Sequence, residues 1–136
     1  MTEKLLRVGT IYIPVKNVKE SAHWYVGNLG AKLNYEDEDK AILDLANQSF
    51  FLVKSPDNES ANFMDTKGAK RFSLTFEVDG ESALRELQKD LQNRGVTVGD
   101  IEDRGHAGNN FVFSDPDGNL FDVWSELSPS FKTNRA

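Results

Sequence analysis

The chain is written twice. A β-rich run, "VGTIYIPV" (residues 8–15), leads into the helix-patterned "NVKESAHWYVGNLGA", and further along "RFSLTFEVD" (71–79) leads into "GESALRELQKDLQNRG". Val15 and Val78 close the two opening runs 63 residues apart, and Gly30 and Gly95 close the two helical patterns 65 residues apart. That interval is longer than any solenoid period, so it marks two copies of one supersecondary unit rather than a stacked array.

Each copy reads as strand, helix and three strands. In the first, alternation puts Ile11, Ile13 and Val15 on one face and Thr10, Tyr12 and Pro14 on the other. Pro14 donates nothing to a ladder, which places the end of this strand at an edge or bulge. Asn17 and Glu20 have capping-box spacing, Val18, Ala22, Tyr25 and Leu29 share a helical face, and Gly30 stops the helix. Short strands follow at 31–37, 40–46 and 49–55. The second copy has Phe72, Leu74, Phe76 and Val78 on one face, Leu84, Leu87 and Leu91 inward on the helix, and then "VTVGDIE", "NNFVFSD" and "NLFDVWSE". Residues 56–70 show neither period and read as a linker.

The expected fold is therefore α+β: two β-α-β-β-β modules in a single domain over 1–136, the first at 6–55, the second at 71–127, with a tail at 128–136. One helix covers one face of a sheet, so the other face stays open unless the modules pair into a curled mixed sheet around a shared cavity. Those other faces are mixed, with Thr10, Tyr12, Ser73 and Thr75 among them. A lined cavity and an ordinary solvated face both give that pattern.

Charge narrows the partners. Sixteen Lys and Arg against 22 Asp and Glu leave a net charge of −6, the wrong sign for nucleic acid or an anionic membrane. Cysteine is absent, which removes disulfides, thiolate metal sites and a cysteine nucleophile and fits an intracellular chain. With no long apolar run and no leader pattern, a cytoplasmic location is expected.

The stretch "FVFSDPDGNLFDVW" (111–124) is a hairpin, because Asp115, Pro116, Asp117 and Gly118 suit a type I turn position by position. On its second strand Leu120, Asp122 and Trp124 share the mixed face, while Phe121 and Val123 face the helix side. A carboxylate between an aliphatic chain and an indole must be solvated, hydrogen-bonded, paired or protonated. Either the strand is a wet edge where Asp122 deters strand addition, or the carboxylate serves a site.

Together the duplicated layout, the opening "IYIPVKNVKESAHWYVGNLGAKL" and the closing "FVFSDPDGNLFDVW" resemble the vicinal oxygen chelate superfamily, over residues from about 6 to 126. That group contains glyoxalases, bleomycin-resistance proteins, fosfomycin-resistance enzymes and extradiol dioxygenases, so the resemblance implies a fold more than an activity. Its metal-dependent members hold a divalent ion with one His, Gln or Glu from each of four strands. By motif those positions fall on Thr10, near Leu52, on Ser73 and on Asp122. Of these only Asp122 suits an ion; shifting Leu52 by one gives Phe51 or Val53, no better. The resemblance thus implies a protein with no cofactor that binds a small cationic or aromatic molecule, as bleomycin-resistance proteins do, and that forms a homodimer.

The lining expected for that molecule is Thr10, Tyr12, Phe50, Leu52, Ser73, Thr75, Val112, Leu120, Asp122 and Trp124, with Asp122 as its one charge. The alternative is an enzyme of the lyase, isomerase, transferase or dioxygenase kind, in which Asp122 or His106 is the catalytic base or a divalent metal ion is held by Asp122, His106 and substrate oxygens. His106 lies in the Gly-rich "DRGHAGNN" before a strand; His23 lies off the apolar helical stripe and reads as exposed.

Overall fold

The computed structural model describes residues 3–134. It divides into two compact units that meet in sequence at Ser60 and Ala61. In the first, β1 (Thr10–Val15) runs parallel to β4 (Gln48–Lys54), β4 pairs antiparallel with β3 (Lys40–Leu45), and β3 with β2 (Lys32–Glu36). The strand order is β1-β4-β3-β2, and α1 (Val18–Leu29) packs on β2, β3 and β4.

The capping signals act as the sequence predicts. Asn17 takes an extended conformation and its Oδ1 accepts the Glu20 N–H at 3.0 Å, while Gly30 turns left-handed at φ 73° and returns its N–H to the last helical turn. Val18, Ala22 and Tyr25 are buried beneath the helix. The β3–β4 connection is a two-residue turn in which Ala46 (φ 51°) and Asn47 (φ 62°) are both left-handed, the type I′ geometry that matches strand twist. Alanine carries a Cβ penalty there, so changing Ala46-Asn47 to Asn-Gly is expected to stabilise the first unit by about 1 kcal/mol in urea unfolding. No gain would mean the turn relaxes at no cost.

Parallel pairing of β1 with β4 corrects the sequence reading of β4. Ile11 is in register with Phe50 and Ile13 with Leu52, so Phe50 and Leu52 point to the helix side and are fully buried with Ile13, Val15, Ala41 and Leu43. They do not belong to the mixed face. Phe51, in register with Tyr12 and Ile42, takes that place and meets the Tyr12 ring at a 33° tilt with centroids 5.2 Å apart.

The second unit holds a three-stranded sheet in the order β7-β9-β8: β7 (Thr75–Glu77) is parallel to β9 (Leu120–Trp124), and β8 (Asn110–Ser114) is antiparallel to it. Phe111, Phe113, Phe121 and Val123 are buried with Leu84 and Leu91 of α2 (Glu81–Asn93), and Phe76 packs against Phe113 and Phe121. Each such side chain contributes about 2–3 kcal/mol by leaving water.

Three segments depart from the expected layout. The run 71–79 is a strand only over Thr75–Glu77, because Arg71 pairs instead with Phe63 in a two-stranded ribbon of β5 (Phe63–Met64) and β6 (Lys70–Arg71), inside the stretch read as a linker. "VTVGDIE" is reduced to two isolated bridges, Val98 with Phe113 and Glu102 with Asn110, since Gly99 and Asp100 interrupt it with residues poorly suited to strands. The tail contains α3 (Pro129–Asn134), tied back through Ser128, whose N–H donates to Glu77 Oε1 at 2.9 Å.

The 115–119 turn does more than reverse the chain. Asp115 Oδ1 accepts the N–H groups of Asp117 and Asn119 at 2.9 Å each, and Asn119 Nδ2 donates to Asp115 Oδ2 at 2.9 Å. Asn119, fully buried, accepts the Ala61 N–H at 2.8 Å, while Asn62 bonds Gly118 O and the Leu120 N–H. These bonds bind the start of the second unit to the hairpin and fix where β9 begins.

Candidate functional site

The mixed face of the second sheet is set by register. Thr75 and Val112 both stand opposite Asp122, Asn110 stands opposite Trp124, and Ser114 opposite Leu120. Thr75, Val112, Leu120, Asp122 and Trp124 therefore share one face, as the alternation of the sequence predicts. Ser73 is exposed and lies outside the strand, two residues before it starts. Thr10 and Tyr12 are exposed on β1 of the first unit.

Asp122 is the centre of this face and is 2% exposed. Its Oδ2 accepts from Thr75 Oγ1 and from Asn110 Nδ2, both at 2.9 Å. Its Oδ1 lies 3.1 Å from Arg104 Nη2. That second contact is an ion pair without hydrogen-bond alignment, because Oδ1 is otherwise an unbonded buried oxygen, as is Asn110 Oδ1. The guanidinium of Arg104 sits over the Phe72 ring, 5.6 Å from its centroid, and its Nε is 3.5 Å from Glu102 Oε1. Of the outcomes open to a buried carboxylate, hydrogen bonding and pairing with a cation are both realised, and the cation comes from the chain itself.

Arg104, Asn110 and Phe72 were not foreseen at the site. Asn110 was legible, since it is two residues before Val112 on an alternating strand. Arg104 reaches Asp122 from a loop, where no periodic signal applies.

Beside this centre, a Gly-rich loop is latched to Trp124. The indole Nε1 donates to Ala107 O at 2.8 Å, and His106 Nδ1 lies 2.9 Å from that same carbonyl, which places its proton on Nδ1. The His106 ring meets Trp124 edge-on, with centroids 5.9 Å apart at 88°. Asn109 and Ser125 exchange two bonds, N–H to Oγ at 2.9 Å and N–H to O at 3.0 Å. Gly108, at φ 73°, passes so close that a Cβ would stand 2.6 Å from Ser125 Oγ and 2.9 Å from Trp124 Nε1. The result is a half-buried indole with an exposed imidazole at its rim.

The sequence matches the description of the Glyoxalase/Bleomycin resistance protein/Dioxygenase superfamily over residues 7–123. The chain belongs to that superfamily. Its α+β architecture is the fold of the group. Among solved structures, the antibiotic-binding protein TnmS3 from Streptomyces sp. CB03234 aligns at TM-score 0.69 and 22% identity, covering 90% of this chain and 98% of its own. A lactoylglutathione lyase from Agrobacterium tumefaciens aligns at TM-score 0.70 and 13% identity, covering 90% and 95%. The fosfomycin resistance protein FosX from Listeria monocytogenes, complexed with Mn(II) and sulfate, aligns at TM-score 0.69 and 13% identity, covering 99% and 100%. At these identities the likeness shows a shared fold and no more. No curated protein matches the sequence.

The superfamily includes metal-bound members, FosX among them, and four positions of this chain correspond by motif to the family's metal ligands. Leu52 is aliphatic, fully buried and on the helix side of its sheet; Thr10 and Ser73 are exposed neutral hydroxyls. Asp122 has two donors on one oxygen and a guanidinium on the other. Among the described residues, no group of three or more His, Cys, Asp or Glu side chains is placed to hold an ion. These residues do not fit the family's metal site. No described helix is long and apolar enough to cross a membrane.

Proposed function

We propose that this superfamily member binds a small, flat organic molecule against the Trp124 side of its second sheet, without the divalent ion used elsewhere in the group. One observation carries the proposal: the carboxylate at the inherited ligand position, Asp122, is already spent on Thr75, Asn110 and Arg104. A dication approaching it meets the positive charge of Arg104 and no second anionic ligand, so coordination is disfavoured. The same arrangement argues against Asp122 as a base, since Oδ2 holds two donors and Oδ1 faces the Arg104 guanidinium and not an open substrate position. His106 keeps only Nε2 free, as Nδ1 is committed to the Ala107 carbonyl.

What remains on the face is recognition chemistry. Val112 and Leu120 offer aliphatic surface, Trp124 a half-buried ring, and His106 and Thr75 polar edges. A few directed polar groups around apolar and aromatic surface are the usual composition of a small-molecule site. TnmS3, an antibiotic-binding protein, shares the fold, which is compatible with this use.

The test uses Trp124 as its own reporter, in a Trp24→Phe background that removes the other indole. Titration with a panel of neutral, cationic and anionic fused-ring compounds should produce saturable quenching for at least one class. Trp124→Phe, which keeps the apolar ring but loses the indole donor and area, should weaken that compound roughly tenfold by calorimetry, which does not need the reporter indole. Flat fluorescence across the panel, or a stoichiometric transition metal in protein purified without chelator, would sink the proposal.

A further inference from the structure

We propose that Arg104 is a tethered occupant of a guanidinium subsite, and that an alkylguanidinium or amidinium ligand binds beside Asp122 by displacing it. The subsite rests on the binding proposal above only in placing a ligand on this face of the second sheet. Its parts are the Asp122 carboxylate and the Asn110 amide, which offer acceptors, and the Phe72 ring, which already carries the Arg71 guanidinium 5.3 Å from its centroid besides that of Arg104 at 5.6 Å.

Three features separate an occupant from a fixed structural pair. First, a well-made arginine–carboxylate pair is bidentate and aligned, whereas Arg104 offers Asp122 one nitrogen at 3.1 Å outside hydrogen-bond alignment. Second, acceptor capacity is left over: Asp122 Oδ1 and Asn110 Oδ1 are both buried and without a hydrogen bond among the described residues. A planar cation free to choose its angle can align with Asp122 Oδ1, which the Arg104 guanidinium on its stem does not. Third, Arg104 belongs to a loop outside the strands and its side chain is 26% exposed against 3% for Asp122, so the cation has a route to water that the anion lacks. Its other anionic neighbour, Glu102, is exposed and touches Nε only at 3.5 Å.

The physics is that of competition. A buried carboxylate cannot stand uncompensated, so some cation must face Asp122 at all times. Arg104 supplies one at the effective concentration of a short tether, which is millimolar or above, and a free ligand must outbid it. The apparent affinity is lowered by the fraction of time the subsite is already filled, and removing the tethered cation restores it.

The experiment compares the parent chain with Arg104→Ala and with Arg104→Ala/Asp122→Asn, using methylguanidinium as probe and methylurea, its neutral counterpart, as control. Calorimetry and thermal shift should show saturable methylguanidinium binding to Arg104→Ala at least roughly tenfold tighter than to the parent. The double variant should lose that gain, and methylurea should bind none of the three. Equal weak binding to parent and Arg104→Ala, or retained binding in the double variant, overturns the proposal. So does a variant that loses affinity for carboxylate probes while gaining none for methylguanidinium, since Arg104 would then be the receptor and not the occupant. If Arg104→Ala does not fold in plain buffer, its refolding yield is titrated with methylguanidinium: recovery at millimolar concentration supports displacement, and no recovery overturns it. Quenching of Trp124 by neutral fused-ring compounds is measured separately, so failure of the guanidinium subsite and failure of the wider binding proposal give different results.

Discussion

Arg104→Ala is expected to lower stability by about 2–3 kcal/mol, because it strands a carboxylate that is almost wholly buried with two neutral donors and no cation. The full cost of breaking a buried pair is discounted here, since a quarter of the Arg104 side chain is already in water. Asp122→Asn alone should cost less, about 1–2 kcal/mol: the amide oxygen can still accept from Thr75 or Asn110, but Arg104 then faces a neutral group. The double variant should recover at least about 1 kcal/mol relative to the sum of the two. Urea midpoints at neutral pH for the four proteins close the cycle. Strict additivity would mean that the 3.1 Å contact carries no coupling and that Asp122 is held by its hydrogen bonds alone.

Gly108→Val should be comparably damaging, at about 3 kcal/mol, for two separable reasons. A β-branched residue at φ 73° is strained by roughly 1–2 kcal/mol, and overpacking against Ser125, Glu126 and Trp124 adds about 1–3 kcal/mol. Relief of either term requires the loop to lift, which breaks the bond from Trp124 Nε1 to Ala107 and the pair between Asn109 and Ser125. Trp124 emission should therefore shift to the red as its indole becomes solvated. Gly108→Ala should show most of the effect, because the clashes are with the Cβ itself. A normal emission maximum and an unchanged melting temperature would mean the loop is not latched as described.

Much of the fold was legible because its signals are local. Asn17 and Gly30 delimit a helix whatever surrounds it, and Asp115 to Gly118 turn a chain by their own side-chain and backbone preferences. The two faces of β9 were legible as well, since Asp122 interrupts an apolar run and so fixes the phase of the alternation. β4 offered no such mark. Phe50, Phe51, Leu52 and Val53 are apolar on both faces, and only the parallel register with β1 decides which pair turns inward. That missing phase is why Phe50 and Leu52 were expected on the mixed face and are found under the helix.

The candidate site was legible in its strand residues and opaque in its loop residue. Thr75, Val112 and Asp122 meet because strands repeat every two residues, a rule that the sequence displays. Arg104 meets Asp122 because a non-repetitive loop happens to return there, and the only trace is a cation near a carboxylate that needs one. The opening strand of the second module was over-read for a related reason: Phe72, Leu74 and Phe76 alternate correctly, yet backbone pairing of Arg71 with Phe63 diverts the start of the run. Side-chain pattern reports which way residues point, while the partner of each N–H and C=O is a separate matter.

At the margin of the first sheet, β2 carries a register shift between Leu33 and Tyr35, with Lys32 and Glu36 at its ends. An irregular, charged outer strand gives an incoming flat segment neither a continuous row of hydrogen-bond partners nor a neutral surface to lie against. The consequence concerns solubility at high concentration: strand addition from this side is disfavoured even though Leu33 and Tyr35 are open to water.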